Sequence, residues 1–211
     1  MRKGLKMKRF TASLILSLII CLGFSIISNA NEIENTTSKF IRLHVVANSD
    51  SEYDQELKLK IRDKTLEIID ELAYECTDKD EADEVISSSV KSIENTLQLY
   101  LDSIGCNDSI KVEFGMAFVD KREYDTFTLP AGRYTALTVK IGEAEGKNWW
   151  CVLFPSLCSS CSVSIEECSV FTKDEIKILT RPDEVKYKLF CYEIFGKIKS
   201  TLLNERKIIS K

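Results

Sequence analysis

The chain predicts an α+β domain in which an antiparallel sheet packs against a long helical pair and a C-terminal helix. Three observations carry this. Two long stretches with apolar residues at helical spacing follow one another across a short polar break, 76–80. From residue 110 the pattern switches to the period of two that marks strands, and a last helical stripe closes the chain. Runs of helix and runs of strand, rather than strict alternation, belong to the α+β class.

The elements follow in order. Residues 1–30 read as a secretory signal: Arg2, Lys3, Lys6, Lys8 and Arg9 precede an apolar stretch, and Ser28-Asn29-Ala30 supplies small residues for cleavage. The same stretch is just long enough to serve as an uncleaved anchor. Residues 31–39 are polar and Thr-rich, a mobile leader. A single domain is expected over 40–211, of a size that supports a core of its own. Residues 40–47 alternate Ile41, Leu43 and Val45 against Arg42, His44 and Val46, a strand with one mixed face. A turn at Asn48-Ser49-Asp50 opens into a helix, with Ser51 and Asp54 spaced as a capping box. Its stripe is expected along Tyr53, Leu57, Ile61, Ile68, Leu72 and Cys76. The second helix should bury Ala82, Ile86, Val90, Ile93, Leu97, Leu101 and Ile104, with Gly105 ending it. A short loop makes the pair antiparallel.

Ile110, Val112, Phe114, Met116 and Phe118 then share one strand face, with 123–128 as a return strand. Pro130-Ala131-Gly132 is a turn, 134–141 a strand, 142–148 a glycine-bearing hairpin loop, and 149–154 a strand apolar on both faces. A Ser/Cys-rich irregular segment runs over 155–168. The last helix is expected from Pro182-Asp183-Glu184, with Val185, Leu189, Tyr192, Phe195, Ile198 and Leu202 as its stripe.

Charge narrows the partners. The chain holds 29 basic and 33 acidic residues; without the five basic residues of the signal, 24 stand against 33, a net charge of −9. An exported domain so acidic is a poor ligand for nucleic acid or anionic lipid. Catalytic equipment is sparse. His44 is the one histidine, so any histidine-dependent base must be that residue. No Gly-rich phosphate loop, nucleophile elbow or H-E-x-x-H is present, and no cofactor is expected. Asp50 and Asp54 are placed as capping carboxylates.

Seven cysteines lie outside the signal, an odd number, so at least one is unpaired within the chain. Cys151, Cys158, Cys161 and Cys168 are spaced C-x6-C-x2-C-x6-C. The central pair is half of a zinc knuckle, but Cys151 sits in an apolar strand, so disulfides or free thiols are favoured over metal. Trp149 and Trp150 are consecutive and must face opposite sides of a strand.

Two blocks are chemically unusual: R-x-H-V-x-A-N-S-D-S-x-x-D-Q-x-L-K over 42–58, and LPAG-x-Y-x-AL-x-V-x-IG-x-x-x-G-x-NWWCVLFP-x-LC over 129–158. They resemble the stage II sporulation protein R family. The resemblance implies a protein exported across the forespore membrane into the space between forespore and mother-cell membranes. There it would switch on a membrane-embedded aspartic protease of the mother cell, whose substrate is the precursor of the early mother-cell sigma factor. It implies a signalling ligand and not an enzyme, with no small-molecule substrate. The rival class is an exported zinc- or thiol-dependent hydrolase of the cell wall. The two cysteines inside the second block suggest a Cys151–Cys158 disulfide, though spacing leaves connectivity open. The receptor surface is expected on the accessible polar face of the first strand and the turn beyond it: Arg42, His44, Asn48, Asp50 and Asp54, flanked by Trp150.

Overall fold

The computed structural model describes residues 2–155, 165 and 170–193. Helix α1 (Arg2–Ser38) leads into β1 (Ile41–Val46), followed by α2 (Glu52–Leu72) and α3 (Lys79–Ser103). Then come β2 (Ile110–Val119), β3 (Arg122–Glu123), β4 (Thr128–Leu129), β5 (Gly132–Ile141), β6 (Asn148–Phe154) and α4 (Lys173–Thr180). The class is α+β. The main sheet has the order β2-β5-β1-β6, and β3 and β4 form a separate ribbon.

Two of the three pairings in the main sheet are antiparallel, but β1 runs parallel to β5. This changes one local expectation. Residues 142–147 do not close a hairpin, because β1 lies between β5 and β6. They instead cross the end of β1, where Gly146 N–H donates to the Ala47 carbonyl and Glu145 N–H to that of Asn48. A β-carbon at Gly146 would run into the Ser49 backbone, so the crossing needs glycine there.

The inner face of the sheet meets the helical pair. Ile41, Leu43, Val45, Leu137, Val139 and Ile141 pack there with Leu57, Ile61, Ile86, Ile93, Leu97 and Leu101. The α3 stripe holds as expected except at Ile104, which is exposed. The α2 stripe is rotated: Leu57, Ile61, Thr65 and Ile69 are buried, while Tyr53 and Leu72 are exposed. Strand β2 buries Ile110 and Val112 but exposes Met116 and Phe118, on its second half.

The outer face is not left open as a two-layer fold would leave it. Phe40, Val119, Phe127, Leu129, Tyr134, Val152, Ile165, Phe171 and Leu179 form a second core over its lower half. Helix α4 in that layer was not expected from the sequence, although Thr172 and Glu175 make a complete capping box at its start. The segment expected to be a mobile leader is helical and continuous with the apolar helix before it. Ala30 and Ile33 pack with Ile178, Val185 and Tyr192, and Glu32 pairs with Lys188 at 2.7 Å. Residues 186–193 are helical; Phe195, Ile198 and Leu202 of the expected last stripe lie outside the described residues.

Candidate functional site

Successive residues of β1 point to opposite faces, so Arg42 and His44 both reach the outer side. The expected accessible face is corrected here. Arg42 is 0 % exposed and His44 7 % exposed, because β1 is an interior strand and the second core closes over its first half. The register sets β5 residues Ala136 and Thr138 beside Arg42 and His44, and on the other side pairs Arg42 with Val152 and His44 with Trp150.

Arg42 enters an aromatic enclosure. Its Nε donates to the Cys151 carbonyl at 2.9 Å and its Nη2 to the Tyr124 hydroxyl at 2.6 Å. The guanidinium carbon stands 5.1 Å from the Tyr134 ring, 5.7 Å from Tyr124 and 5.8 Å from Trp150. The negative faces of those rings offset part of the desolvation of the cation. Burial lowers the pKa of Arg42, opposed by Tyr124 and Tyr134. The enclosure is nevertheless incomplete. Nη1 is buried without a hydrogen-bond partner, and no described carboxylate pairs with the guanidinium.

His44 lies flat on Trp150, with ring centroids 3.8 Å apart and planes 3° from parallel. Its Nε2 meets Asn148 Oδ1 at 2.8 Å, and an amide oxygen there makes Nε2 the donor. Burial pushes the His44 pKa down; the Asn148 bond opposes this, while Lys140, Arg122 and Arg42 add to it. The imidazole is therefore neutral at neutral pH and held by an amide, not by a carboxylate that would orient it as a base. Trp150 also lines a cleft of about 300 Å³, together with Arg122, Glu123, Tyr124, Asn148 and Trp149.

The six expected partner-binding residues fall into two groups. Arg42, His44 and Trp150 come together in this stack. Asn48, Asp50 and Asp54 form a clamp, and their side chains are engaged within the fold. Asn48 Oδ1 accepts from Glu143 N–H at 2.9 Å and Asp50 Oδ1 from Lys147 N–H at 2.8 Å. Asp54 is buried and accepts from the Ser49 hydroxyl at 2.5 Å and the Asn48 amide at 3.2 Å. The Ser49 bond and those from Ser51 and Asn48 hold its carboxyl below the usual range against the cost of burial. The clamp joins the start of α2 to the 142–147 crossing.

Trp149 faces the opposite side of β6, where Arg62 of α2 stands 4.5 Å from its ring centroid. Cys151 is disulfide-bonded, and its partner lies outside the described residues, as do Cys158, Cys161 and Cys168. A cysteine in a disulfide is not a zinc ligand, which removes Cys151 from the four-cysteine metal set. Cys76, Cys106 and Cys191 are free thiols, and no group able to hold a metal ion occurs among the described residues. The site's remaining members, Tyr124, Tyr134 and Asn148, were not singled out from the sequence. Tyr134 and Asn148 stand in the second block quoted above; Tyr124 carries no local signal.

The family model described as stage II sporulation protein R matches residues 37–164. Stage II sporulation protein R of Bacillus subtilis (strain 168) is 40% identical over 118 residues, 56% of this chain and 53% of the relative. The matched region thus spans about half the length of that curated relative. No solved structure matches the chain.

Proposed function

The chain belongs to the stage II sporulation protein R family, and from that premise we propose that it is an exported signal that activates a membrane-embedded aspartic protease of the mother cell. The downstream event is processing of the early mother-cell sigma factor precursor. The observation that carries this is the extent of the family match, 37–164, which contains β1, the helical pair and the whole sheet with its Arg42–His44–Trp150 stack. Helix α1 supports export, since from Phe10 it is apolar and long enough to cross a membrane.

The protein acts as a ligand and not as an enzyme. It binds the assembled, active state of the protease better than the idle one, and shifts that equilibrium by its differential affinity. The outer-face stack and the cleft beside it are the contact surface; the Asn48–Asp54 clamp holds them in register. The domain works between the two sporulation membranes. Ala30 is fully buried in the folded state, so removal of the signal there is an event of the translocating chain, before this helix docks.

The test is reconstitution. The exported protein, the protease and the sigma precursor are co-expressed, and precursor cleavage is followed by gel mobility. Cleavage that depends on this chain is the expected result. An unprocessed precursor, with all three proteins present and the chain folded and exported, overturns the proposal.

A further inference from the structure

The orphan donor of Arg42 is the strongest unexplained feature of the described residues. A guanidinium carries five N–H donors, and a buried charged group with donors unmet is among the costliest arrangements a fold can hold. Two hydrogen bonds, to the Cys151 carbonyl and the Tyr124 hydroxyl, do not offset it. The position faces Tyr134 and Trp150, and a straight apolar side chain would fill the same volume without a desolvation cost.

Cations outnumber carboxylates around the cleft, although Glu123 also lines it. Arg122 and Lys140, with Arg42 itself, act on His44. The nearby carboxylates are engaged elsewhere: Glu113 bridges Lys111 and Lys140 at 2.7 Å each, and Glu123 pairs with Lys121 at 2.6 Å. A domain that is acidic as a whole therefore concentrates positive charge beside one aromatic cleft. Tyr124 and Trp150, which line that cleft, are two of the side chains in contact with the guanidinium.

We infer that this cleft receives a carboxylate from a protein partner, an acidic side chain or a chain terminus, and that Arg42 and Arg122 bind it. A planar carboxylate matches the guanidinium fork, and the aromatic walls suit the apolar stem that carries it. Entry requires Tyr124 to turn aside from Nη2. The ribbon that bears it has only two residues per strand, an element too small to be stable by itself. Trp150, in contact with both Arg42 and His44, reports on occupancy. The inference deepens the proposed contact surface by naming the chemistry of the partner group.

The experiment uses the purified full chain with Trp149→Phe, which leaves Trp150 as the one remaining tryptophan of two. Its fluorescence is titrated at constant ionic strength with N-acetylglutamic acid α-amide, the carboxylate-free N-acetylglutamine α-amide, and inorganic phosphate. The carboxylate should give a saturable change, with the amide analogue weaker by about tenfold or more. Arg122→Gln should weaken the carboxylate response alone, and Arg42→Met should abolish it. Should Arg42→Met not fold, Arg122→Gln and the amide comparison decide the matter. Equal responses to acid and amide, no saturable response, or phosphate binding as tightly as the carboxylate would each overturn the inference. No protease is present, so a failure here is separate from a failure to process the sigma precursor.

Discussion

The two faces of β1 are built on opposite principles. On the inner face Ile41, Leu43 and Val45 belong to the apolar core, and each is fully buried. On the outer face, one residue away in each case, Arg42 and His44 are buried almost as completely among rings, an amide and other cations. The inner face is the economical way to hold a sheet to a helical pair. The outer face buries a cation that leaves one nitrogen unsatisfied, where an apolar side chain would hold the sheet at no desolvation cost. A cost without a folding gain is what favours this face as the proposed contact surface.

One substitution on each face separates the two. Leu43→Ala should cost about 2–5 kcal/mol, as the loss of a packed core leucine does. Arg42→Met should change stability by no more than about 1–2 kcal/mol in either direction, since it removes the desolvation cost along with two hydrogen bonds. Chemical denaturation measures both, and precursor cleavage should be lost in Arg42→Met. An Arg42→Met variant that loses as much stability as Leu43→Ala would make the arginine architectural and the two faces equivalent. Charge reversal is a poorer probe than a surface arginine would allow, because a glutamate at 42 would be a buried, unpaired anion.

The inner face was legible because its signal is local. Period two over 41–45 and helical spacing over the α3 stripe each report a face from a few neighbouring residues. The same period misplaced the outer face, since an arginine in an alternating strand reads as solvent-facing. Its enclosure comes from far along the chain: Tyr124 is 82 residues away and the Cys151 carbonyl 109. The covering layer was hard to read for the same reason. Strands β3 and β4 have two residues each, and α4 only eight. One local mark was there to be found, the Thr172-x-x-Glu175 capping box. The clamp was half legible: Ser51 was recognised as a cap, but the use of Asn48 and Asp50 on the 142–147 crossing depends on β1 lying between β5 and β6.

The outer face also differs from the inner one in its response to pH. The folded pKa of His44 lies below its unfolded value, chiefly through burial. The unfolded chain therefore binds a proton that the folded chain refuses in the window from about pH 6.5 downward to the folded value. Stability contributed by the neutral imidazole is complete above that window and falls as pH drops through it, by at most about 1.4 kcal/mol per pH unit. With a single histidine in the chain, His44→Gln should flatten the dependence of melting temperature on pH just below about pH 6.5. The carboxylates held low, Asp54 and Glu94 among them, lose their contribution only at lower pH. A slope unchanged by the substitution would show that the outer face does not exclude the proton. Because His44 is a member of a contact surface and not a base, His44→Gln should reduce precursor cleavage by much less than the factor of about a hundred or more that loss of a general base costs.

The smallest expected effect lies on the edge where the two faces meet, at the two tryptophans. Trp150 stacks on His44 on the outer face; Trp149 turns to the helical side, stays 36 % exposed, and carries Arg62 over its ring at 4.5 Å. Both are aromatic residues beside the cleft, so composition alone does not say which one a partner reads. Their neighbours do. Arg62 already occupies the Trp149 face and also pairs with the exposed Asp63 at 2.7 Å, an arrangement explained by surface packing. Arg62→Ala should cost about 0.5–1 kcal/mol, the worth of an exposed cation–π contact, and Arg62→Met should recover the part due to the stem. Neither should alter precursor cleavage, while Trp150→Leu should abolish it with the fold retained. If Arg62→Ala silences the signal and Trp150→Leu does not, recognition belongs to the helical edge, and the burial of Arg42 and His44 would need an explanation within the fold.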